Sequence, residues 1–391
     1  MRLLILSWKD PRDADAGGAE RYLARIASWW VERGHSVTMI TPRRDGVRDY
    51  ELVNKIQFQR LGNRHSVFPL ARGHLARHGD GYDHVLESVS TRPFLAHHVV
   101  GDRATALYHQ MADDVWNQEF RFPVSWLGRH MIEPRWVRAM RGARIVAVSP
   151  STAADLARHG LATLATIPPG CDPFPAARAR TPPSEAPRFI HIGRLVRAKR
   201  TADALRAFHI VRQRMPRSHF DVVGDGYRRG TLQRHAGPGV SIHGYVSDEE
   251  KAQLLDGADV MLIPGTREGW GIIAMEAAAH GIPVVAYDVP GLRDSVVDGV
   301  TGHLCQSNPR AMADATFSIL HDSSRFQTMS RSAIEWAGRH TWERAVSELT
   351  SLIERSQPHC GVSGEPADAW STPTPPTSAG TVRGAVRAAQ Q

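Results

Sequence analysis

The sequence predicts an α/β protein of two doubly wound parallel-sheet domains facing each other across a cleft. Three observations carry that expectation. Short apolar runs of strand length alternate with amphipathic helical stretches along most of the chain. A proline-rich break near the middle separates two such series. The length of 391 residues exceeds what one hydrophobic core usually covers.

Taken in order, Met1–Trp8 reads as a buried strand, followed by a loop with Gly17 and Gly18 and a helical stretch from Ala19 to Arg33. Gly34 suits the left-handed position that stops a helix, and His35–Thr41 reads as the next strand, which completes a βαβ unit. Further strands are expected at Lys55–Leu61, His84–Ser88, Thr105–His109, Ile145–Val148 and Ala165–Ile167, so the first domain spans residues 1–170. Residues 171–187 hold five prolines and read as a linker. A second series has strands at Arg188–Ile192, His219–Val223, Val240–His243, Asp259–Ile263 and Pro283–Tyr287, with helices near Ala202–Arg214, Glu249–Asp256 and Ile272–His280. That domain is expected to cover 188–335, and a helix over 336–355 to pack back toward the first domain. Residues 356–391 are rich in Pro, Ser, Thr, Gly and Ala and read as a disordered tail, lacking the apolar surface to offset ordering entropy.

Composition narrows the function classes. Hydrophobic residues at 42% and charged residues at 23% match an ordinary globular protein. Cys171, Cys305 and Cys360 show no CxxC spacing and leave one thiol unpaired in any scheme, which fits a reducing cytoplasm. The N-terminal apolar run is too short for a signal-peptide core, and the run Gly271–Val289 is interrupted by Glu276, His280, Pro283 and Asp288. A cytoplasmic protein, soluble or peripheral at the inner face of a membrane, is the expectation. The net charge of +8 comes from arginines spread along the whole chain, without a basic run or a nucleic-acid-binding signature, so no nucleic-acid partner is expected.

Two segments carry the chemistry. In PGTREGWGIIAMEAAAHGIPVV, Pro264–Val285, a strand runs through a loop into a helix, with Glu268 before the helix and Glu276 one turn inside it. A helix starting near Gly271 presents the free N–H groups of Gly271, Ile272 and Ile273, a favoured setting for phosphate. The two carboxylates suit hydroxyl-rich parts of the same ligand. The bland alternative is a solvated loop glutamate and a second one that only stabilises the helix dipole. In FIHIGRLVRAKR, Phe189–Arg200, a strand ends at Gly193, where ligand and backbone can approach closely, and Arg194 and Lys199 follow. Both cations can converge on a diphosphate leaving group, whose charge grows as the bond to it breaks. Ordinary surface cations beside a turn are the alternative here.

Together, Glu268–Val296 and Gly193–Lys199 resemble the donor-binding half of glycosyltransferase family 4, retaining enzymes of the GT-B fold with two Rossmann-like domains. Gly17–Val37 is similar to that family's N-terminal glycine loop and first helix, and Ala147–Leu156 with Ile167–Asp172 resembles the segments closing its first domain. The resemblance implies a retaining glycosyltransferase that moves a hexosyl or pentosyl group from a UDP- or GDP-sugar to a hydroxyl of an acceptor left unidentified, whether glycan, lipid-linked or small natural product. It places Glu276 on the ribose, Glu268 on the donor sugar, and Arg194 with Lys199 on the diphosphate. Gly17, Gly18, Gly193, Gly224, Gly269, Trp270, Gly271, Ile272 and Ile273 complete the implied donor set. Arg200 and Ala198 depart from the family, which often has glycine after the lysine and glutamate before it.

Several secondary features complete the reading. His109 ends a strand where family members often carry a histidine facing the reaction centre, and it counts with Arg194, Lys199 and Glu268 as a catalytic candidate. The Asp113–Asp114 pair invites a metal, but the fold usually manages leaving-group charge with Arg and Lys, so neither a metal nor another cofactor is expected. VVGDGYRRG, Val222–Gly230, misses the GxGxxG spacing by one residue, which argues against a dinucleotide enzyme and for a loop lining the base pocket. Arg121–Arg144 mixes arginines with Trp126, Met131, Trp136 and Met140, and suits an anionic membrane surface as well as an ordinary packed helix. The competing functions are a GT-B epimerase or phosphorylase, and a sugar-nucleotide-binding protein without turnover.

Overall fold

The computed structural model describes residues 1–13, 15–174, 178–181 and 185–355; the expected tail 356–391 and parts of the proline-rich linker lie outside them.

The first sheet is built from β1 (Arg2–Leu6), β2 (Ser36–Thr41), β3 (Tyr50–Val53), β4 (Ile56–Arg60), β5 (His84–Val89), β6 (Ala104–Tyr108), β7 (Arg144–Ala147) and β8 (Ala165–Thr166). Their spatial order is β3-β4-β2-β1-β5-β6-β7-β8. All neighbours run parallel except β3, which pairs antiparallel with β4 at the edge. The second sheet holds β9 (Arg188–Ile192), β10 (His219–Val223), β11 (Val240–Gly244), β12 (Val260–Ile263), β13 (Val284–Tyr287) and β14 (Gly302–Cys305), in the order β11-β10-β9-β12-β13-β14, all parallel. Strand order therefore reverses between β1 and β5 and again between β9 and β12. In open α/β sheets, ligands bind beside the carboxyl ends of the strands at such a reversal.

Central strands such as β5, β6, β12 and β13 are buried along their whole length, as strands covered by helices on both faces must be. Helix Gly18–Glu32 turns Tyr22, Leu23, Ile26, Ala27 and Trp30 to the core at helical spacing and keeps Arg21 and Arg25 outside. The strands missed by the sequence reading, β3 and β14, have four residues each and little apolar content: Tyr50 and Leu52 of β3 stay exposed, and β14 reads GHLC.

The helix expected over 336–355 needs correction. Two helices, Ser323–Gly338 and Trp342–Glu354, meet at a break. Thr341 is extended there, and its hydroxyl caps the second helix by accepting the Arg344 N–H at 3.2 Å. The chain entering the linker crosses at this point: Cys171 N–H donates to the His340 carbonyl at 2.9 Å, and a Cβ on Gly170 would lie 2.1 Å from the Trp342 nitrogen. Apolar spacing continues through the break, but the two faces serve different cores. Trp336 packs with Cys171, Trp270 and Met275, whereas Val346, Leu349 and Ile353 join the core of the first sheet. The indole of Trp30 donates to Thr350 at 2.8 Å and fixes the last helix there.

Candidate active site

The loops that follow β6, β9 and β12, together with the start of helix Gly18–Glu32, converge on one cleft. At the end of β9, Gly193 donates its N–H to the Val223 carbonyl at 3.0 Å, and a Cβ on Gly224 would lie 2.0 Å from the Gly193 carbonyl oxygen. Gly224 also sits at φ +130°, so the close meeting of these loops requires glycine there. Arg194 is exposed and pairs with no side chain among the described residues. A short 3-10 turn, Arg197–Lys199, then delivers the Lys199 ammonium to a carboxylate oxygen of Glu268.

Backbone contacts hold that pair in place. Thr266 N–H donates to the Ala198 carbonyl at 2.9 Å, and Glu268 N–H to the Pro290 carbonyl at 3.0 Å. Gly291, at φ +84°, leaves room for this loop, because its Cβ would fall 2.1 Å from the Glu268 carbonyl oxygen. Arg200 follows the lysine in the left-handed region at φ +49°, where glycine sits without strain. Its guanidinium pairs with Asp203 at 2.6 Å and lies 4.9 Å from the Tyr287 ring centre, which offsets the backbone cost.

Glu276 lies on helix Ile272–Ala279, whose first residues leave the N–H groups of Ile272 and Ile273 without backbone partners among the described residues. Its carboxylate pairs with Arg21 from the first domain and lies 3.2 Å from Lys251, and Lys251 and Arg21 also share Asp248 at 3.1 Å each. Of the glycine loop, Gly17 N–H is held by the Glu20 carboxylate at 2.7 Å, and a Cβ on Gly18 would come 2.9 Å from the Ile272 side chain. The two domains therefore touch at the start of helix Ile272–Ala279. Trp270 differs from expectation: its indole turns away from the cleft into a cluster with Cys171, Met275, Ala333 and Ala337, because an apolar bicycle gains more from that core than from a polar pocket.

His109 follows β6, and its N–H donates to the Val89 carbonyl at 2.8 Å. One ring nitrogen, Nε2, meets the Ser88 hydroxyl at 3.1 Å, while Nδ1 has no partner among the described residues. Burial pushes its pKa down to about 4, so the ring is neutral at physiological pH. Across the cleft, a Cβ on Gly269 would lie 2.6 Å from the His109 carbonyl oxygen. Asp113 and Asp114 both pair with Arg129, at 3.0 and 2.6 Å. Among the described residues, no group of three or more His, Cys, Asp or Glu could hold a metal ion, and no helix is long and apolar enough to cross a membrane.

Four features escaped the sequence reading. Arg21 and Lys251 neutralise Glu276. Buried Arg267 pairs with Asp155 and, at 3.4 Å, with Asp113, which ties the second domain's loop to the first domain. Glu119 accepts the Ala198 N–H at 2.7 Å and the Tyr227 hydroxyl at 2.5 Å, and Tyr227 in turn accepts the Arg197 N–H at 2.9 Å. Ser151 N–H donates to Asp294 at 3.2 Å. Each joins residues far apart in sequence, so only the presence of charged residues in the matching segments was visible beforehand.

Comparison with known proteins agrees with this architecture. The family description Glycosyltransferase Family 4 matches residues 16–173, and Glycosyl transferases group 1 matches residues 186–322. Glycogen synthase of Mycobacterium tuberculosis is 27% identical over 85% of this chain and 89% of its own. Among solved structures, sucrose-phosphate synthase from Thermosynechococcus elongatus superposes with a TM-score of 0.73 at 21% identity, over 91% of this chain and 98% of that one. Anabaena HepE in complex with UDP-glucose gives 0.68 at 18%, over 91% and 100%. These likenesses in fold are those of GT-B enzymes, with two parallel-sheet α/β domains. The chain belongs to the family 4 glycosyltransferases.

Proposed function

We propose that the enzyme transfers a sugar, with retention at the anomeric carbon, from a UDP- or GDP-sugar to an acceptor hydroxyl. The observation that supports this reading is the Lys199–Glu268 pair on the loops after β9 and β12, the latter leading into the helix that carries Glu276 and begins with the N–H groups of Ile272 and Ile273. A diphosphate fits between Arg194, Lys199 and those amides, the ribose hydroxyls fit Glu276, and the sugar hydroxyls fit Glu268. UDP-glucose bound to Anabaena HepE, a GT-B neighbour, supports a UDP-sugar as the first candidate.

In the proposed reaction, the acceptor oxygen attacks the anomeric carbon on the face from which the diphosphate departs. The C–O bond to the diphosphate breaks with its electron pair on the phosphate oxygen, and the hydroxyl proton passes to that oxygen. Arg194 and Lys199 stabilise charge that grows only as the bond breaks, so they favour the transition state over the ground state. His109, neutral and fixed by Ser88, orients a sugar hydroxyl through Nδ1. No metal enters this scheme, because the two cations take the leaving-group charge.

The epimerase alternative needs a free carboxylate in the first domain. Near His109, Asp113 is paired with Arg129 and Arg267, and Asp155 with Arg267 and Arg158, which favours transfer. The two cysteines among the described residues, Cys171 and Cys305, are free thiols, which accords with a cytoplasmic enzyme.

The test is a thermal-shift screen of the protein against UDP-, GDP-, ADP- and dTDP-sugars. Stabilisation by one uridine or guanosine donor, abolished by Glu276→Ala, is the expected result. No shift with any donor, or a shift that survives Glu276→Ala unchanged, overturns the donor-site assignment.

A further inference from the structure

Residues 115–139 form a helical hairpin on the first domain, from helix Val115–Glu119 through Phe120–Pro123 into a run that joins helix Val124–Leu127, a π turn Gly128–Ile132 and helix Glu133–Ala139. Its inner side is closed by its own residues. Trp116 packs over Gly128, where a Cβ would lie 2.2 Å from the indole, and lies 5.3 Å from the Phe120 ring centre. Its Nε1 donates to buried Glu133 at 3.1 Å. Ser125, Gly128, Glu133, Val137 and Met140 are buried on that side.

The outer side is apolar and open to solvent. Phe120, Phe122, Val124, Trp126, Leu127 and Met131 are all exposed, six of the fourteen exposed large apolar side chains among the described residues. Phe122 is 80% exposed and Trp126 50%. An apolar patch of this density is uncommon on a surface that meets only water. Along the same helical run, Arg135 and Arg138 continue the exposed ridge at helical spacing, with Arg121 before it and Arg141 after it. None of these four arginines pairs with a carboxylate among the described residues. The segment's two acids are both turned away, Glu119 to Ala198 and Tyr227, and Glu133 to Trp116 and the Ala112 and Asp113 amides. The outward face is thus aromatic and apolar at one end and purely cationic at the other.

We infer that this face docks the first domain on an anionic lipid bilayer, with Phe122 and Trp126 entering the acyl–headgroup boundary and Arg121, Arg135, Arg138 and Arg141 resting on lipid phosphates. Unpaired arginines beside aromatic side chains match the chemistry of that boundary, where cations meet anionic headgroups and aromatic rings sit half-buried. A soluble protein partner would need acidic residues opposite all four arginines and an apolar socket for both rings. A bilayer supplies both at once.

Vesicle flotation with the full chain tests the inference, using phosphatidylcholine vesicles and vesicles of phosphatidylcholine mixed with phosphatidylglycerol. Binding to the mixed vesicles is expected to exceed binding to phosphatidylcholine by a factor on the order of 10², and to fall as salt is raised. Phe122→Ser with Trp126→Ser, and separately Arg135→Glu with Arg138→Glu, are each expected to lower binding to mixed vesicles about tenfold or more. The arginine pair is exposed and unpaired, so its variant folds and keeps the test decisive even if the aromatic variant is unstable. Equal affinity for both vesicle types, absence of binding, or a dimeric parent that the aromatic variant converts to a monomer would each overturn the assignment, the last by giving the face to a second copy of the chain. Since flotation reads no catalysis, it stands whether or not the donor assignment does.

Discussion

The Glu119 carboxylate of the first domain accepts the Ala198 N–H of the second at 2.7 Å, and its other oxygen takes the Tyr227 hydroxyl at 2.5 Å. Ala198 directly precedes Lys199, at a position where many family members carry glutamate. A carboxylate from the opposite domain thus steadies the turn that delivers the lysine. Glu119→Ala is expected to weaken binding of a nucleoside diphosphate about tenfold, as loss of a charge-assisted hydrogen bond does, with the melting temperature little changed. Tyr227→Phe removes only the hydroxyl contacts and should give a smaller loss. Titration calorimetry with UDP and GDP reads both effects, and an unaltered affinity in Glu119→Ala would separate the contact from the clamp.

Lys199→Ala removes a cation set against the expected leaving group and leaves Glu268 without its partner. Turnover should drop by a factor on the order of 10²–10³, by analogy with other single charge-stabilising groups. Donor consumption followed with and without acceptor measures it, and parental turnover would refute the role.

Arg267 and Asp155 form a buried ion pair across the domains. Removing Arg267 leaves buried Asp155 with the solvent-exposed Arg158 as its remaining cation, so Arg267→Met should cost roughly 1–3 kcal/mol in denaturant titrations. The double variant Arg267→Met with Asp155→Leu should recover a good part of that loss, because no lone charge remains. Recovery would separate desolvation from simple loss of packing.

Gly269 lies where any side chain would press on the His109 carbonyl oxygen, at 2.6 Å from a Cβ. Gly269→Ala should therefore hold the cleft slightly open, lowering turnover while each domain stays folded. Small-angle scattering and circular dichroism, read together with donor turnover, report on the two halves of that statement.

Acid should destabilise the fold over a defined window. Burial pushes His74, His84, His109, His191 and His280 down to about 4. Unfolded histidine titrates near about 6.5, so between the two values the unfolded chain binds more protons and stability rises with pH. Stability is thus lost as pH falls from about 6.5 towards about 4. Glu87 acts oppositely: burial raises its pKa to about 7, so its contribution is complete below the usual glutamate range and fades as pH rises through about 7. Melting temperatures measured from pH 4 to pH 8 are expected to climb steeply on the acid side, and Glu87→Gln should flatten the alkaline side.

By itself, the sequence determined the two series of strands and helices, because buried parallel strands must be apolar throughout and their helices must carry an apolar stripe. β9 and β10 match the expected ranges residue for residue. It also located the segments holding Gly193, Lys199, Glu268 and Glu276, whose glycine-and-charge spacing is local to one strand end or one helix turn. Tertiary structure alone decided which groups meet. The partners of Glu276 include Arg21, 255 positions away, and Glu119 reaches Ala198 across 79. It also decided that Trp270 belongs to a core rather than to the cleft, that Thr341 ends one helix and caps the next, and that the aromatic residues around Phe122 face outward. An arginine on a polar helix face has the same local pattern whether it meets water, a carboxylate or a lipid. Only the packing of one domain against the other distinguishes these outcomes.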